Sequence, residues 1–127
     1  MNLLDTSFVV DLFRGDQKIS GFLDAESATT AITYYEIMSY RRRRKLKSEG
    51  AIFERFFSEV PVLPFTRAAA EESSAITARL MDIGKPVNAL DVLIAGTALA
   101  NGAERLITRD RGFLEIAKIS DLSVTIY

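Results

Sequence analysis

Three carboxylates in this chain stand in apolar company. Asp5 is the only charged side chain in "MNLLDTSFVV", Glu36 the only charge between Ser27 and Tyr40, and Asp91 the only charge between Pro86 and Ala103. Withdrawing a carboxylate from water costs several kcal/mol even after relaxation, and no Lys or Arg lies close in sequence to pair with any of the three. A fourth acid, Asp110, follows the run "RLIT" almost directly. Four such groups brought together would repel. A hard divalent cation, Mg²⁺ or Mn²⁺, takes oxygen ligands and would offset that repulsion. It could also orient a water against a phosphodiester. Thr6, Ser7 and Thr108 flank the acids, and their hydroxyls could hold the carboxylates in place.

Each acid also has a plainer reading. Asp5 could cap a first helix, and Glu36 could be the reciprocal member of a capping box with Thr33. Asp91 could be an early-turn residue favoured by the helix dipole, and Asp110 an N-cap. Asp11, Asp16, Asp24 and Glu26 sit among polar or turn residues and read as surface.

The missing residue types narrow the chemistry further. The 127 residues include no histidine and no cysteine. This removes Ser-His-Asp triads, Cys-His nucleophiles, disulfides, thiolate metal sites and most zinc sites. An apolar content of 48% with 26% charged residues fits one globular domain with a real core. No signal-peptide pattern or membrane-length apolar run is present, so a cytoplasmic protein is expected. The net charge is −1, but "RRRRKLK" (residues 41–47) holds six of the sixteen basic residues. A basic block on an acidic body suggests an anionic partner such as nucleic acid. It also reads as a helix C-terminus favoured by its dipole.

The elements that must position the acids alternate between strand and helix. Leu3-Leu4 reads as a buried strand ending at Asp5, followed by a short helix capped by Ser7 and running through Phe13 to Gly15. Asp16 or Ser20 could start a helix over "KISGFLDAE". "TTAI" (residues 29–32) is β-branched and predicts the second strand, with a helix then opening at Thr33 and running through Leu46. Ile52, Phe53, Phe56 and Phe57 form the stripe of another helix. "VPVLPF" predicts an edge strand, since proline closes each end. Thr66 starts a long helix stopped by Gly84 and Pro86, and residues 88–101 form a helix apolar nearly all round. "RLIT", a short helix over "DRGFLEIAKI" and "SVTIY" complete the chain. The alternation predicts a parallel sheet with helices on both faces, whose strand ends gather a site along one edge.

With the acids so placed, the chain resembles the PIN-domain family, and within it the VapC-type toxins of toxin–antitoxin pairs. "LLDTSFVVDLF" is similar to the family's opening strand with its first Asp. "AITYYEIM" resembles the segment with its Glu. "GKPVNALDVLIAGTALANGAERLITRD" resembles its most recognisable stretch, an Asp followed by Ile-Ala and then a strand ending Thr-x-Asp. The likeness spans residues 1–127 and implies a single domain with a three-layer α/β/α fold and a five-stranded parallel sheet.

The resemblance implies a Mg²⁺- or Mn²⁺-dependent endoribonuclease acting as a toxin. The family's acidic quartet falls on Asp5, Glu36, Asp91 and Asp110, with Asp5, Asp91 and Asp110 expected to hold the metal. Its hydroxyls fall on Thr6 or Ser7 and on Thr108. It also implies an RNA substrate, a VapB-type antitoxin that fills the site, and a toxin homodimer. Arg41, Arg42, Arg43, Arg44 and Lys45 would guide RNA phosphates, with Arg109 as a further contact. Many relatives carry another acid or a histidine after the last Asp, where this chain has Arg111 and Gly112. One metal is therefore expected.

Other readings fit less well. A receiver-type phosphoacceptor needs an Asp at the end of its middle strand, and "VPVLPFT" has none. A haloacid-dehalogenase-type phosphatase needs Asp-x-Asp, and "DTS" puts Ser7 at the second place. A catalytically silent PIN domain that binds RNA or a protein is the remaining alternative.

Overall fold

Leu3 and Leu4 are neighbours in the first strand and point to opposite faces of the sheet, as strand geometry requires. Both are fully buried. Each therefore nucleates its own core, and the molecule has three layers. The computed structural model describes residues 1–23, 26–44 and 50–127. Its strands are β1 (Asn2–Leu4), β2 (Ser27–Thr30), β3 (Val62–Leu63), β4 (Arg105–Thr108) and β5 (Val124–Ile126). They form one sheet in the order β3-β2-β1-β4-β5, and every pair is parallel. On the Leu4 face lie α1 (Thr6–Phe13), a 3₁₀ turn (Gln17–Phe22), α2 (Ala31–Arg44) and α3 (Gly50–Glu59), which contribute Phe8, Ile19, Ile37 and Phe53. On the Leu3 face lie α4 (Arg67–Asp82), α5 (Ala89–Ala100) and α6 (Phe113–Lys118), which contribute Ile76, Leu80, Ile94 and Phe113.

This strand order has a functional consequence. The chain steps outward from β1 to β2 and β3, then returns to the other side of β1 for β4 and β5. The order reverses between β1 and β4, and a crevice opens there beyond the strands' carboxyl ends. Asp5 follows β1 and Asp110 follows β4, so both border it. Helix α5 brings Asp91 and is seated very close to α4. A Cβ on Gly96 would collide with Ser73 Oγ and lie 2.7 Å from the Ala69 carbonyl oxygen, so only glycine allows this crossing.

The architecture agrees with the sequence expectation, and several local boundaries do not. The second strand covers Ser27–Thr30, and Ala31 and Ile32 already belong to α2. Consequently Thr33 does not open the helix. Thr30 caps it, accepting from the Thr33 amide at 3.0 Å. Asp5 rather than Ser7 caps α1, accepting from the Phe8 amide at 2.9 Å. The helix expected over "KISGFLDAE" is a 3₁₀ turn ending at Phe22, and Asp24 lies outside the described residues. In the α3 stripe, Phe53 and Phe56 are buried but Ile52 is exposed. Helix α2 is described to Arg44, so Lys45 and Leu46 lie outside the described residues. Among the described residues no helix is long and apolar enough to cross a membrane.

Candidate active site

Asp5 is the fixed point of the site. It is 3% exposed, and both its oxygens are engaged. Oδ1 accepts from the Phe8 amide at 2.9 Å and from Ser7 Oγ at 2.8 Å. Oδ2 accepts from Thr108 Oγ1 at 2.5 Å. Burial pushes the carboxyl's pKa up, and the hydrogen bonds from Thr108, Phe8 and Ser7 oppose that shift.

The two hydroxyls that donate to Asp5 also accept. Ser7 Oγ takes the Arg109 amide at 3.0 Å, and Thr108 Oγ1 takes the Asp110 amide at 2.9 Å. Two consecutive amides of the segment after β4 are thus relayed through one hydroxyl each onto the two oxygens of Asp5. Asp110 itself accepts from the Gly112 amide at 2.8 Å, an Asx-type turn rather than a helix cap.

Glu36 arrives from α2. Thr6 Oγ1 donates to its Oε1 at 2.7 Å and lies 3.1 Å from Thr33 Oγ1. Because Thr30 already caps the helix, Glu36 is not spent as a capping-box partner. Asp91 stands in the first turn of α5 behind its N-cap Asn88. Its pKa is raised to about 7, first by burial and then by the charge and hydrogen bond of Asp110, followed by Glu36 and Asp5. Asp110, Glu36 and Asp5 therefore all lie within electrostatic reach of Asp91. Among the described residues none of them forms an ion pair with Lys or Arg.

The basic residues are less uniform than their run suggests. Arg41 is half-buried, with its guanidinium 6.0 Å from the centre of the Phe53 ring. Arg44 lies over Tyr40 at 5.6 Å. Arg42 and Arg43 are exposed. The Arg109 side chain is turned back on the protein, its Nε 2.8 Å and its Nη2 3.3 Å from the two oxygens of Asp11.

A family profile for the PIN domain matches residues 3–119. The chain belongs to the PIN-domain family. A curated relative, ribonuclease VapC19 of Mycobacterium tuberculosis, is 29% identical over 119 residues, covering 89% of this chain and 92% of the relative. VapBC2 of Rickettsia felis, solved bound to a DNA fragment from its promoter, superposes with a TM-score of 0.85 at 20% identity, covering 99% and 98% of the two chains. VapBC-1 of nontypeable Haemophilus influenzae gives 0.79 at 25% identity, covering 98% and 96%.

In this PIN domain the donor set suits a hard divalent cation. It is all oxygen, pairs with no Lys or Arg among the described residues, and sits where burial and the neighbouring carboxylates together lift Asp91 to about 7. The acids are grouped but not closed into a cage. Among the described residues, no three of them stand near enough to one point to hold an ion as they are.

Asp11, read from sequence as surface, is 8% exposed. It accepts from Arg109 and, at 2.8 Å, from the Tyr127 hydroxyl. One signal was available: Asp11 follows Ser7 by four residues, so both lie on the same face of α1.

Proposed function

We propose that this PIN domain is a metal-dependent endoribonuclease and the toxin of a toxin–antitoxin pair. The observation that carries this reading is the set of four carboxylates beside the β1–β4 crevice, with no Lys or Arg paired to any of them among the described residues. The ribonuclease relative supports RNA as the substrate. Asp5, Asp91 and Asp110 would hold Mg²⁺ or Mn²⁺, which when bound supplies Lewis acidity toward the phosphate. Asp5 is held rigid by Ser7, Thr108 and the Phe8 amide, so it needs little reorganisation to bind. Glu36 accepts from Thr6 on one oxygen, and its Oε2, which takes no hydrogen bond among the described residues, would orient the attacking water. Exposed Arg42 and Arg43, at the end of α2 beyond Glu36, draw the RNA backbone toward the crevice.

The partner reading rests on the VapBC complexes among the structural neighbours. We place an antitoxin helix in the groove of about 440 Å³ between α2 and α3, lined by Tyr34, Met38, Arg41, Phe53 and Phe57. Self-association as a homodimer would fall on the exposed apolar surface made by Met81 of α4 and by Phe65, just before that helix. An RNA substrate supports a protein that works in the cytoplasm.

The deciding experiment is cleavage of a total-RNA preparation by purified, antitoxin-free protein in Mg²⁺, Mn²⁺ or EDTA, with Asp91→Asn alongside. Discrete products that require metal and vanish in the variant are expected. Cleavage that persists in Asp91→Asn overturns the assignment. The same holds for a folded protein that binds RNA and cuts none with either metal, which leaves the silent-domain reading.

A further inference from the structure

Arg109 lies between two residues of the site, Thr108 and Asp110, yet its guanidinium forks onto Asp11 at 2.8 and 3.3 Å. Its backbone amide meets Ser7 Oγ at 3.0 Å. Ser7 and Asp11 are one helical turn apart on the same face of α1. That face therefore grips Arg109 at both ends, amide and side chain. Tyr127 closes the arrangement from the other side. Its hydroxyl donates to Asp11 at 2.8 Å, its amide donates to the Thr108 carbonyl at 3.2 Å, and its ring stands edge-on to Phe8 at 5.6 Å. The guanidinium side chain is about half exposed whereas Asp11 is buried, so the fork holds Arg109 against α1 and away from solvent on one side only.

We propose that Arg109 is a positioning residue: gripped by Ser7 and Asp11 with Tyr127, it fixes the placement of residues 108–110 so that Thr108 and Asp110 stand correctly against Asp5. The alternative for a basic residue beside the site is direct contact with an RNA phosphate. The geometry favours positioning, because a guanidinium already bidentate on a carboxylate has its planar fork committed. In the positioning role Asp11 and Arg109 work as one unit. In the phosphate role Asp11 has no part.

The inference rests on the nuclease reading, and its test separates the two. Asp11→Asn, Arg109→Gln and the double variant are compared in steady-state RNA cleavage, in Mn²⁺ binding, and in amide hydrogen exchange at Arg109 and Asp110. Both single variants are expected to lower kcat about 10–100-fold, with KM nearly unchanged. The double variant should be no worse than either single one. Both should weaken Mn²⁺ binding and speed exchange of the two amides while Leu106 in β4 stays protected. Arg109→Lys, which keeps a charge for Asp11, should recover part of the loss.

Two results overturn the inference. One is a raised KM and a shallower salt dependence in Arg109→Gln with Asp11→Asn behaving as wild type. The other is unchanged amide exchange and Mn²⁺ affinity in both variants. If Asp11→Asn does not fold, the contrast between Arg109→Gln and Arg109→Lys decides alone. Absence of cleavage in the wild type would count against the nuclease reading, while the exchange and Mn²⁺ measurements would still test the positioning.

Discussion

Asp11 and Asp91 are both carboxylates withdrawn from solvent, and their surroundings push them in opposite directions. Asp11 is met by Arg109 and Tyr127, and the Arg109 hydrogen bond holds its pKa below the usual carboxylate range. Asp91 is met by burial and by Asp110, Glu36 and Asp5, which lift it to about 7. One acid is thus balanced by a cation of the protein, and the other has only carboxylates for charged neighbours among those that shift it. The contrast sets Asp91 apart from Asp11 more clearly than burial alone.

The sharpest way to break this comparison is to neutralise each acid in turn. Asp5→Asn and Asp91→Asn should each reduce RNA cleavage at least about 100-fold, measured with purified variants. On stability the two regions should part. Asp11→Asn takes from Arg109 its counter-charge and one of two acceptor oxygens, and should destabilise the fold by about 1–3 kcal/mol. Asp91→Asn removes a repelled charge and should raise the Tm of the metal-free protein at pH 8. Denaturant and thermal melts check both, and equal shifts of the same sign would erase the distinction.

Proton linkage gives a smaller version of the same contrast. Asp91 has a folded pKa of about 7 against an ordinary 3.8, so the folded protein holds a proton that the unfolded chain releases between those values. Metal-free stability should therefore fall as pH rises across that window and level off above it. Asp11 runs the other way: its contribution is present above about pH 4 and is lost as pH falls through its lowered folded pKa. Mn²⁺ should raise the Tm more at pH 8 than at pH 5, and should fail to do so in Asp91→Asn. The smallest expected effect concerns the arginines. Replacing Arg42 and Arg43 by alanine should reduce the salt slope of RNA binding by about 1–2, whereas Arg109→Gln should leave it unchanged.

Much of this was legible in the chain. The alternation of short apolar runs with helical periods gave the parallel three-layer sheet, and the acids were conspicuous because each stands alone among apolar residues. What escaped was decided by tertiary partners. Asp11 looked like surface because its neighbours in sequence are unremarkable, and its cation comes from residue 109 and its hydroxyl donor from residue 127. The start of α2 was misplaced because Thr29, Thr30 and Thr33 all suit both a strand and a cap. Only the pairing of β2 with β3, which sets Thr30 opposite Leu63, decides that Thr30 is the boundary. The basic run was read as uniform, but an aromatic ring from α3 takes up Arg41.

The bond from Thr108 to Asp5 joins residues 103 positions apart. During synthesis Asp5 and Thr6 leave the ribosome about a hundred residues before Thr108 and Asp110 can join them. A product that ends before β4 contains neither partner, so Asp5 is left without the Thr108 hydroxyl and the amide relay behind it. For a protein proposed to cut RNA in the cell that makes it, the order of the elements is itself a safeguard: a fragment interrupted before β4 lacks part of the proposed site.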